Sequence, residues 1–71
     1  MTKDDFNDLL TTDFEFQYNG KNYFICPYNN GFSCGEYGTL EPEQFNSIDD
    51  VWRHFLLEGK PVKDVVDKID W

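Results

Sequence analysis

The only histidine of the chain, His54, is the side chain best suited to proton transfer near neutral pH. Asp50 precedes it by four residues, so on a helix the carboxylate shares a face with the imidazole and can orient it as a general base. Covalent catalysis also needs a serine or cysteine beside the base, and none is placed there. The pattern favours a solvent-exposed histidine with a partner on the same helix, and we expect no enzymatic activity.

The two cysteines, Cys26 and Cys34, are the other reactive side chains. Seven residues separate them, whereas zinc-binding pairs are usually about two to four residues apart, and one histidine leaves too few further ligands. We therefore expect no metal ion and no cofactor. A disulfide is within geometric reach if neighbouring strands place the two cysteines opposite each other. In a reducing cytosol we expect two free thiols, with Cys34 the more buried.

Neither a phosphate-binding loop nor a nucleic-acid-binding stripe is indicated. Gly31, Gly35 and Gly38 are spaced like turn and bulge glycines, with no Lys-Ser/Thr pair and no helix start after them. The six lysines and arginines are scattered along the chain without interleaved aromatic residues. Direct binding to nucleic acid is therefore not expected.

A formal net charge of −8 on 71 residues is combined with 18% aromatic residues. The aromatic content predicts a folded core, and the length predicts a single domain over residues 1–71. The charge disfavours binding to nucleic acid or anionic lipid and favours a basic protein surface as partner. No signal-peptide pattern and no apolar run of about 20 residues is found, so we expect a cytoplasmic protein outside the membrane.

Residues 13–18 alternate between polar and apolar side chains and are followed by Asn19-Gly20, the strongest short-range signal for a two-residue hairpin turn. Such a turn pairs residue 18 with 21, residue 16 with 23 and residue 14 with 25. One face of the hairpin then carries Phe14, Phe16, Tyr23 and Ile25.

The second strand is predicted over residues 21–26, because Pro27 has no N–H to donate to a sheet. A turn signal at residues 29–31 then predicts a third strand over residues 32–39. One register for this strand places Tyr37 opposite Tyr23 on the core face. On the other face, the same register places Cys34 opposite Cys26 and Glu36 opposite Phe24.

Three amphipathic segments predict helices. Thr2 is the expected N-cap of the first, and Ser47, with Asp50 three residues later, begins the second after a loop over residues 40–46. Gly59 is the expected C-cap of the second helix and Pro61 the expected start of the third. The apolar stripes consist of Phe6, Leu9 and Leu10, then Ile48, Val51, Trp52, Phe55 and Leu56, then Val62, Val65, Val66 and Ile69.

The elements together predict an α+β fold: a short N-terminal helix, a three-stranded antiparallel β-meander and two C-terminal helices packed on one sheet face. Asp64 and Lys68 are expected to pair on the exposed side of the third helix. Leu57 falls opposite the core stripe of the second helix. The expected core contains Phe14, Phe16, Tyr23, Tyr37, Trp52 and Phe55.

Carboxylates that no local role explains mark the predicted partner-binding site. In the register above, Glu15, Phe24 and Glu36 form one cross-strand row on the face opposite the core, and Glu41 and Glu43 lie in the following loop. One interpretation is an acidic rim around an aromatic anchor, suited to a Lys/Arg-rich partner. Two alternatives are that the N-terminal helix covers Phe24, or that the acidity serves solubility alone.

Three segments carry a resemblance to other proteins: YNGKNY at residues 18–23, FNSIDD at residues 45–50 and GKPV at residues 59–62. With them the chain resembles a loose group of short acidic proteins, themselves without an assigned role, from Gram-positive bacteria and their phages. The resemblance implies a β-meander with helices and transfers no functional residue. In size and charge alone the chain is also similar to phage anti-defence inhibitors, including anti-CRISPR proteins.

The leading hypothesis is a non-enzymatic binding protein that docks its acidic surface onto a basic surface of a nucleic-acid-handling protein. Its concrete form is a phage inhibitor of a host defence nuclease. The alternative is a small housekeeping or regulatory domain that forms a homodimer through a sheet edge or the open sheet face, with acidity serving only solubility.

Overall fold

The computed structural model describes residues 2–70 and shows an α+β fold. Its elements in chain order are α1 (Lys3–Leu9), β1 (Phe14–Tyr18), β2 (Lys21–Tyr28), β3 (Gly31–Glu36), β4 (Glu43–Phe45), α2 (Ile48–His54), β5 (Leu56–Leu57), β6 (Lys60–Pro61), α3 (Val62–Val65) and a 3-10 turn (Val66–Lys68). Strands β1 to β4 form one antiparallel sheet in sequence order, and β5 and β6 form a separate hairpin. The predicted α+β class is confirmed, with four sheet strands instead of three.

Helix α1 begins where the sequence predicts. The Thr2 hydroxyl accepts a hydrogen bond from the Asp5 N–H, and the Asp5 carboxylate accepts one from the Thr2 N–H, both at 3.2 Å. This reciprocal pair satisfies two of the backbone N–H groups that a helix start leaves without partners. Phe6 and Leu10 of this segment are buried in the core.

The β1–β2 hairpin has the predicted register, with Phe14 opposite Ile25 and Phe16 opposite Tyr23. The turn residues Asn19 and Gly20 have φ values of 53° and 79°. Two successive positive φ values give the turn a twist that matches that of the strands, which explains why this short signal was sufficient.

Strand β2 continues two residues beyond its predicted end, through Pro27 to Tyr28. The Tyr37 N–H donates to the Asn22 carbonyl (2.9 Å), so the even-numbered residues of β2 direct their backbone groups toward β3. The nitrogen of Pro27 therefore faces the β1 side. Since β1 begins at Phe14, opposite Ile25, no strand there needs the missing N–H.

The predicted register of the third strand was wrong by one residue. That register needs a three-residue loop, whereas a two-residue turn joins Tyr28 to Gly31 and sets Phe24 opposite Gly35 and Ile25 opposite Cys34. A one-residue shift moves every β3 side chain to the other face. Cys34 is consequently fully buried in the core. Tyr37, expected in the core, is 53% exposed.

Strand β4 lies inside the segment expected to be a loop, and it pairs Phe45 with Phe32 of β3. Its close approach depends on Gly31, where an added Cβ would lie 2.3 Å from the Phe45 carbonyl oxygen. A three-residue strand shows no period in the sequence, so alternation was not able to identify it.

Helix α2 begins as predicted, with the Ser47 hydroxyl accepting from the Asp50 N–H (3.1 Å), but it ends at His54. Phe55 is already extended (φ −75°, ψ 115°). From there the side chains alternate with a period of two, so Leu57 is buried and Leu56 is 52% exposed. The predicted positions of Leu56 in the core stripe and Leu57 on the outside were therefore wrong.

Gly59 is a hairpin residue and not the predicted helix C-cap. Glu58 and Gly59, with φ values of 54° and 85°, form the two-residue turn between β5 and β6. Pro61, predicted to be the first residue of α3, instead ends β6 and directly precedes the helix. The Val62 N–H donates to the Phe55 carbonyl (3.0 Å), which ties the start of α3 to the end of α2.

Helix α3 is one turn long and continues as a 3-10 turn, and its predicted apolar stripe is buried. Within residues 2–70 the structure shows no ion pair between Asp64 and Lys68, contrary to prediction. The α-helical spacing that would bring them together ends at Val65.

All three helices contribute to one core on a single face of the sheet, here called the inner face. The Phe6 ring of α1 lies 5.0 Å from that of Trp52 in α2, so α1 joins this core and does not cover Phe24 on the outer face. Asp70 exchanges two backbone hydrogen bonds with Gln17 (2.8 and 2.7 Å) beside β1. The inner core consists of Phe6, Leu10, Phe14, Phe16, Tyr23, Ile25, Cys34, Val51, Phe55, Leu57, Val62, Val65, Val66 and Ile69.

No helix within residues 2–70 is long and apolar enough to cross a membrane.

Candidate partner-binding surface

The five predicted site residues are distributed over both sides of the sheet. Glu15 and Phe24 are directly opposite each other on the outer face, as predicted. Glu36, predicted to complete this row, is instead opposite Tyr23, and Gly35 takes its place beside Phe24. Glu43 is opposite Cys34 in β4, and Glu41 is exposed in the preceding loop. The predicted three-residue row therefore does not exist.

Tyr37 lies beside Phe24 on the outer face, two residues after Gly35, which takes the position predicted for Glu36. Its ring meets that of Phe24 edge to face, with centroids 5.9 Å apart and planes at 62°, and its hydroxyl donates to a carboxylate oxygen of Glu15. This hydrogen bond, followed by desolvation, raises the pKa of the Tyr37 phenol. A two-residue turn at residues 29–30, if assumed from the sequence, would have placed Tyr37 on the outer face with Phe24.

Gly35 lies opposite Phe24 and leaves room for the Thr39 side chain. An added Cβ would lie only 2.8 Å from Cγ2 of Thr39, but at an ordinary contact distance of 3.5 Å from two atoms of the Phe24 ring. Tyr37 contacts the Phe24 ring on this face. Phe24 is left half-buried, and Tyr37 is the more accessible of the two rings.

Glu36, Glu41 and Glu43 line one open groove between the end of the sheet and the β5–β6 hairpin. Glu58, in the hairpin turn, lines it as well, opposite Lys21. The groove thus contains four carboxylates and one lysine. This excess of negative charge occurs where the helices no longer cover the inner face.

One carboxylate of this groove is already neutralised within the chain. Lys21 Nζ lies 3.1 Å from Glu58 Oε1, and Asn19 Nδ2 donates to Glu58 Oε2 at 2.7 Å. The hydrogen bonds from Asn19 and Lys21 lower the pKa of Glu58, and Glu58 in turn raises the pKa of Lys21. Both shifts favour the ion pair, which leaves Glu36, Glu41 and Glu43 as the charges available to a partner.

Tyr37 connects the two sides of the predicted site. It lines the groove of Glu36, Glu41 and Glu43 and also a second groove beside Glu15. We call this surface the acidic band; it consists of Glu15, Glu36, Glu41 and Glu43 around Tyr37. All five side chains are exposed.

The cysteines do not form a reactive pair. Cys26 is opposite Ser33, so the two thiols lie on opposite faces of the sheet, and the conceivable disulfide loses its geometric basis. Burial raises the pKa of Cys34 to about 12. Desolvation, then the charge and hydrogen bond of Asp13, raise the pKa of Cys26. The prediction that Cys34 is the more buried thiol is confirmed.

His54 is exposed at the last position of α2. Among the hydrogen bonds described for residues 2–70, none joins it to Asp50, whose backbone N–H instead donates to Ser47. No group of three or more His, Cys, Asp or Glu side chains in the described part of the chain is arranged to hold a metal ion.

Comparison with known proteins finds no matching family model, no matching curated protein and no matching solved structure. The three segments that carry the resemblance to short acidic proteins have local structural roles. Residues 18–23 form the first hairpin turn, residues 45–50 join β4 to α2, and residues 59–62 lead from the second hairpin into α3.

Proposed function

We propose that the protein is a non-enzymatic binding protein whose acidic band occupies a basic surface of a nucleic-acid-handling protein. The observation that carries this proposal is the position of Tyr37 between Glu15 on one side and Glu36, Glu41 and Glu43 on the other. An exposed aromatic ring surrounded by carboxylates combines an apolar anchor with charge that complements lysine and arginine.

The acidic band belongs to a molecule whose net charge is itself strongly negative, −8. Within residues 2–70, ion pairs neutralise Asp49 and Glu58, neither of which belongs to the acidic band. A strongly negative molecule attracts a cationic surface over a distance of about 8 Å or more at physiological ionic strength. Association is therefore expected to be fast and to weaken as salt is added.

Competition with the phosphate backbone follows from the same charge. A protein that handles nucleic acid presents clustered lysines and arginines, and closely spaced carboxylates can replace phosphates there. Inhibition of a host defence nuclease by a phage protein is the concrete form of this proposal.

The experiment compares charge reversals in two places. Glu36→Lys/Glu43→Lys changes the band, whereas Asp8→Lys/Asp64→Lys makes the same charge change at exposed positions in α1 and α3. Each tagged variant is used to capture proteins from the native host cell at low and at high salt. The captured protein is then purified and its nucleic-acid binding is measured with and without this chain.

Displacement of nucleic acid by the wild type and by the α1/α3 variant, but not by the band variant, supports the proposal. Equal displacement by both double variants contradicts the site, and no displacement by the wild type contradicts the function.

The uncovered outer face supports a second candidate, self-association. Tyr28 of β2 is 62% exposed, on the same side of the strand as Phe24. Two copies with a charge of −8 each repel one another, so such a dimer would become stronger with added salt, whereas binding to a basic partner would become weaker. Sedimentation of the pure protein at low and high salt separates the two candidates.

A further inference from the structure

A second open groove, on a different surface from the acidic band, collects much of the positive charge of the chain. It is lined by Lys3, Asp49, Trp52, Arg53, His54 and Lys63. These include three of the six lysines and arginines and the only histidine. Lys3 and Lys63 are far in the sequence from the four residues of α2, and the packing of α1, α2 and α3 brings them together. We call this surface the cationic groove.

The single carboxylate that lines this groove, that of Asp49, forms an ion pair with Lys3 of the same groove. Asp49 Oδ1 lies 2.7 Å from Lys3 Nζ, and the hydrogen bond and charge of Lys3 lower the pKa of Asp49. Arg53 and Lys63 form no ion pair that the structure shows within residues 2–70. Two cationic side chains are therefore available in the groove.

Local helix chemistry explains only part of this arrangement. Arg53 and His54 lie in the last turn of α2, where positive charge is favourable to the helix dipole. Lys3 occupies the first position of α1, where the dipole disfavours positive charge. Its ion pair with Asp49 offsets this unfavourable interaction, and the charge of Arg53 also lowers the pKa of Asp49, to a smaller extent.

Trp52 provides an aromatic wall for the groove. The indole is half-buried and packs against Phe6 at a centroid distance of 5.0 Å, with the ring planes at 54°. The core therefore holds the ring in place while part of it lines the groove. The flat face of a nucleic-acid base stacks favourably on such a side chain.

We propose that the cationic groove binds a nucleoside monophosphate, with the phosphate held by Arg53 and Lys63 and the base against Trp52. Arginine and lysine are the side chains that bind phosphate groups most strongly. The net charge of −8 opposes a long polyanion, so a compact anion is favoured over a nucleic-acid strand. This inference does not depend on the acidic band.

The test is a titration of the isotope-labelled protein with AMP, adenosine and inorganic phosphate, followed by NMR shifts of the amides of residues 52–54 and 63. AMP is expected to shift these signals at a lower concentration than either adenosine or phosphate. The double variant Arg53→Gln/Lys63→Gln is expected to weaken AMP binding by about tenfold or more.

Lys60→Gln/Lys68→Gln is the matched control, because it removes the same charge from exposed lysines that line a different groove. We expect it to change AMP affinity by less than about twofold. Equal weakening by the two double variants, or no shift of the groove signals with AMP, overturns the proposal. Phosphate binding as tightly as AMP overturns the role of Trp52, and a single-stranded oligonucleotide binding more tightly than AMP overturns the compact ligand.

Discussion

Both faces of the four-stranded sheet carry aromatic residues, but only one face is covered. On the inner face, ring contacts connect Phe14, Phe16, Tyr23 and Phe55 at centroid distances of 5.3, 5.6 and 6.3 Å. On the outer face, the contact of Phe24 with Tyr37 ends at solvent, and the hydroxyl of Tyr37 is bound by a carboxylate. Aromatic content therefore does not distinguish a buried face of the sheet from an exposed one; the strands and helices that pack on each face determine which it is.

The difference between the faces also explains where carboxylates are tolerated. Glu36 and Glu43 stand on the inner side of β3 and β4, near the buried Cys34, yet both are exposed to solvent. A charge placed deeper on the same face would have to be desolvated at a large cost. Glu36 and Glu43 thus lie at the margin of the core, and a mutation should have a graded effect on stability from the centre of the inner face outward.

The largest difference is expected between two adjacent residues of β2. Ile25 is fully buried on the inner face, and Phe24 is half-buried on the outer face. Ile25→Ala should lower the free energy of unfolding by about 4 kcal/mol, since it leaves a cavity. Phe24→Ala should lower it by about 1.5 kcal/mol, because the ring is already partly exposed to solvent and less buried apolar area is lost. Urea unfolding of both variants measures this, and equal losses would contradict the assignment of the faces.

A second pair tests whether the same alternation continues after α2. Leu57 is fully buried and Leu56 is 52% exposed. Leu57→Ala should cost about 3 kcal/mol of unfolding free energy and Leu56→Ala less than about 0.5 kcal/mol. Thermal unfolding under the same buffer conditions compares them. If Leu56→Ala proved the more damaging, α2 would have to continue past His54, as the sequence pattern suggests.

Local signals predicted the parts of this fold that local chemistry determines. The Asn19-Gly20 turn set the first hairpin, and the hydroxyls of Thr2 and Ser47 marked the two helix starts. The ends of elements were harder to predict. The apolar pattern that continues beyond His54 fits a helix and an extended segment equally well for the few residues available, and the extended form buries Leu57.

Of the predicted site residues, Glu15 and Phe24 lie opposite each other as expected, whereas Glu36 does not join them. The difference comes from the length of one turn, two residues and not three, which sets Gly35 opposite Phe24 and brings Tyr37 to the outer face. The grouping of Lys3, Arg53 and Lys63 could not be predicted from the sequence, because it depends on how three helices pack. Turn chemistry is local, whereas helix packing joins side chains that no sequence spacing connects.

The smallest effect is expected at the margin of the inner face, at the exposed ion pair of Glu58 with Lys21. Because the folded protein lowers the pKa of Glu58, its charge stabilises the fold above the pKa of the unfolded chain, and this contribution is lost as the pH falls through the lowered value. Glu58→Gln should therefore be less stable than the wild type at pH 7, and the difference should shrink toward zero in acid.

Glu41→Gln removes an equal charge from an exposed residue of the same groove that forms no ion pair shown within residues 2–70. This control variant separates the loss of the ion pair from the general relief of charge repulsion. Glu41→Gln should be as stable as the wild type or slightly more stable. Urea unfolding across the acid range measures both variants, and a Glu58→Gln deficit that persists at low pH would assign the effect to the Asn19 hydrogen bond or to the turn.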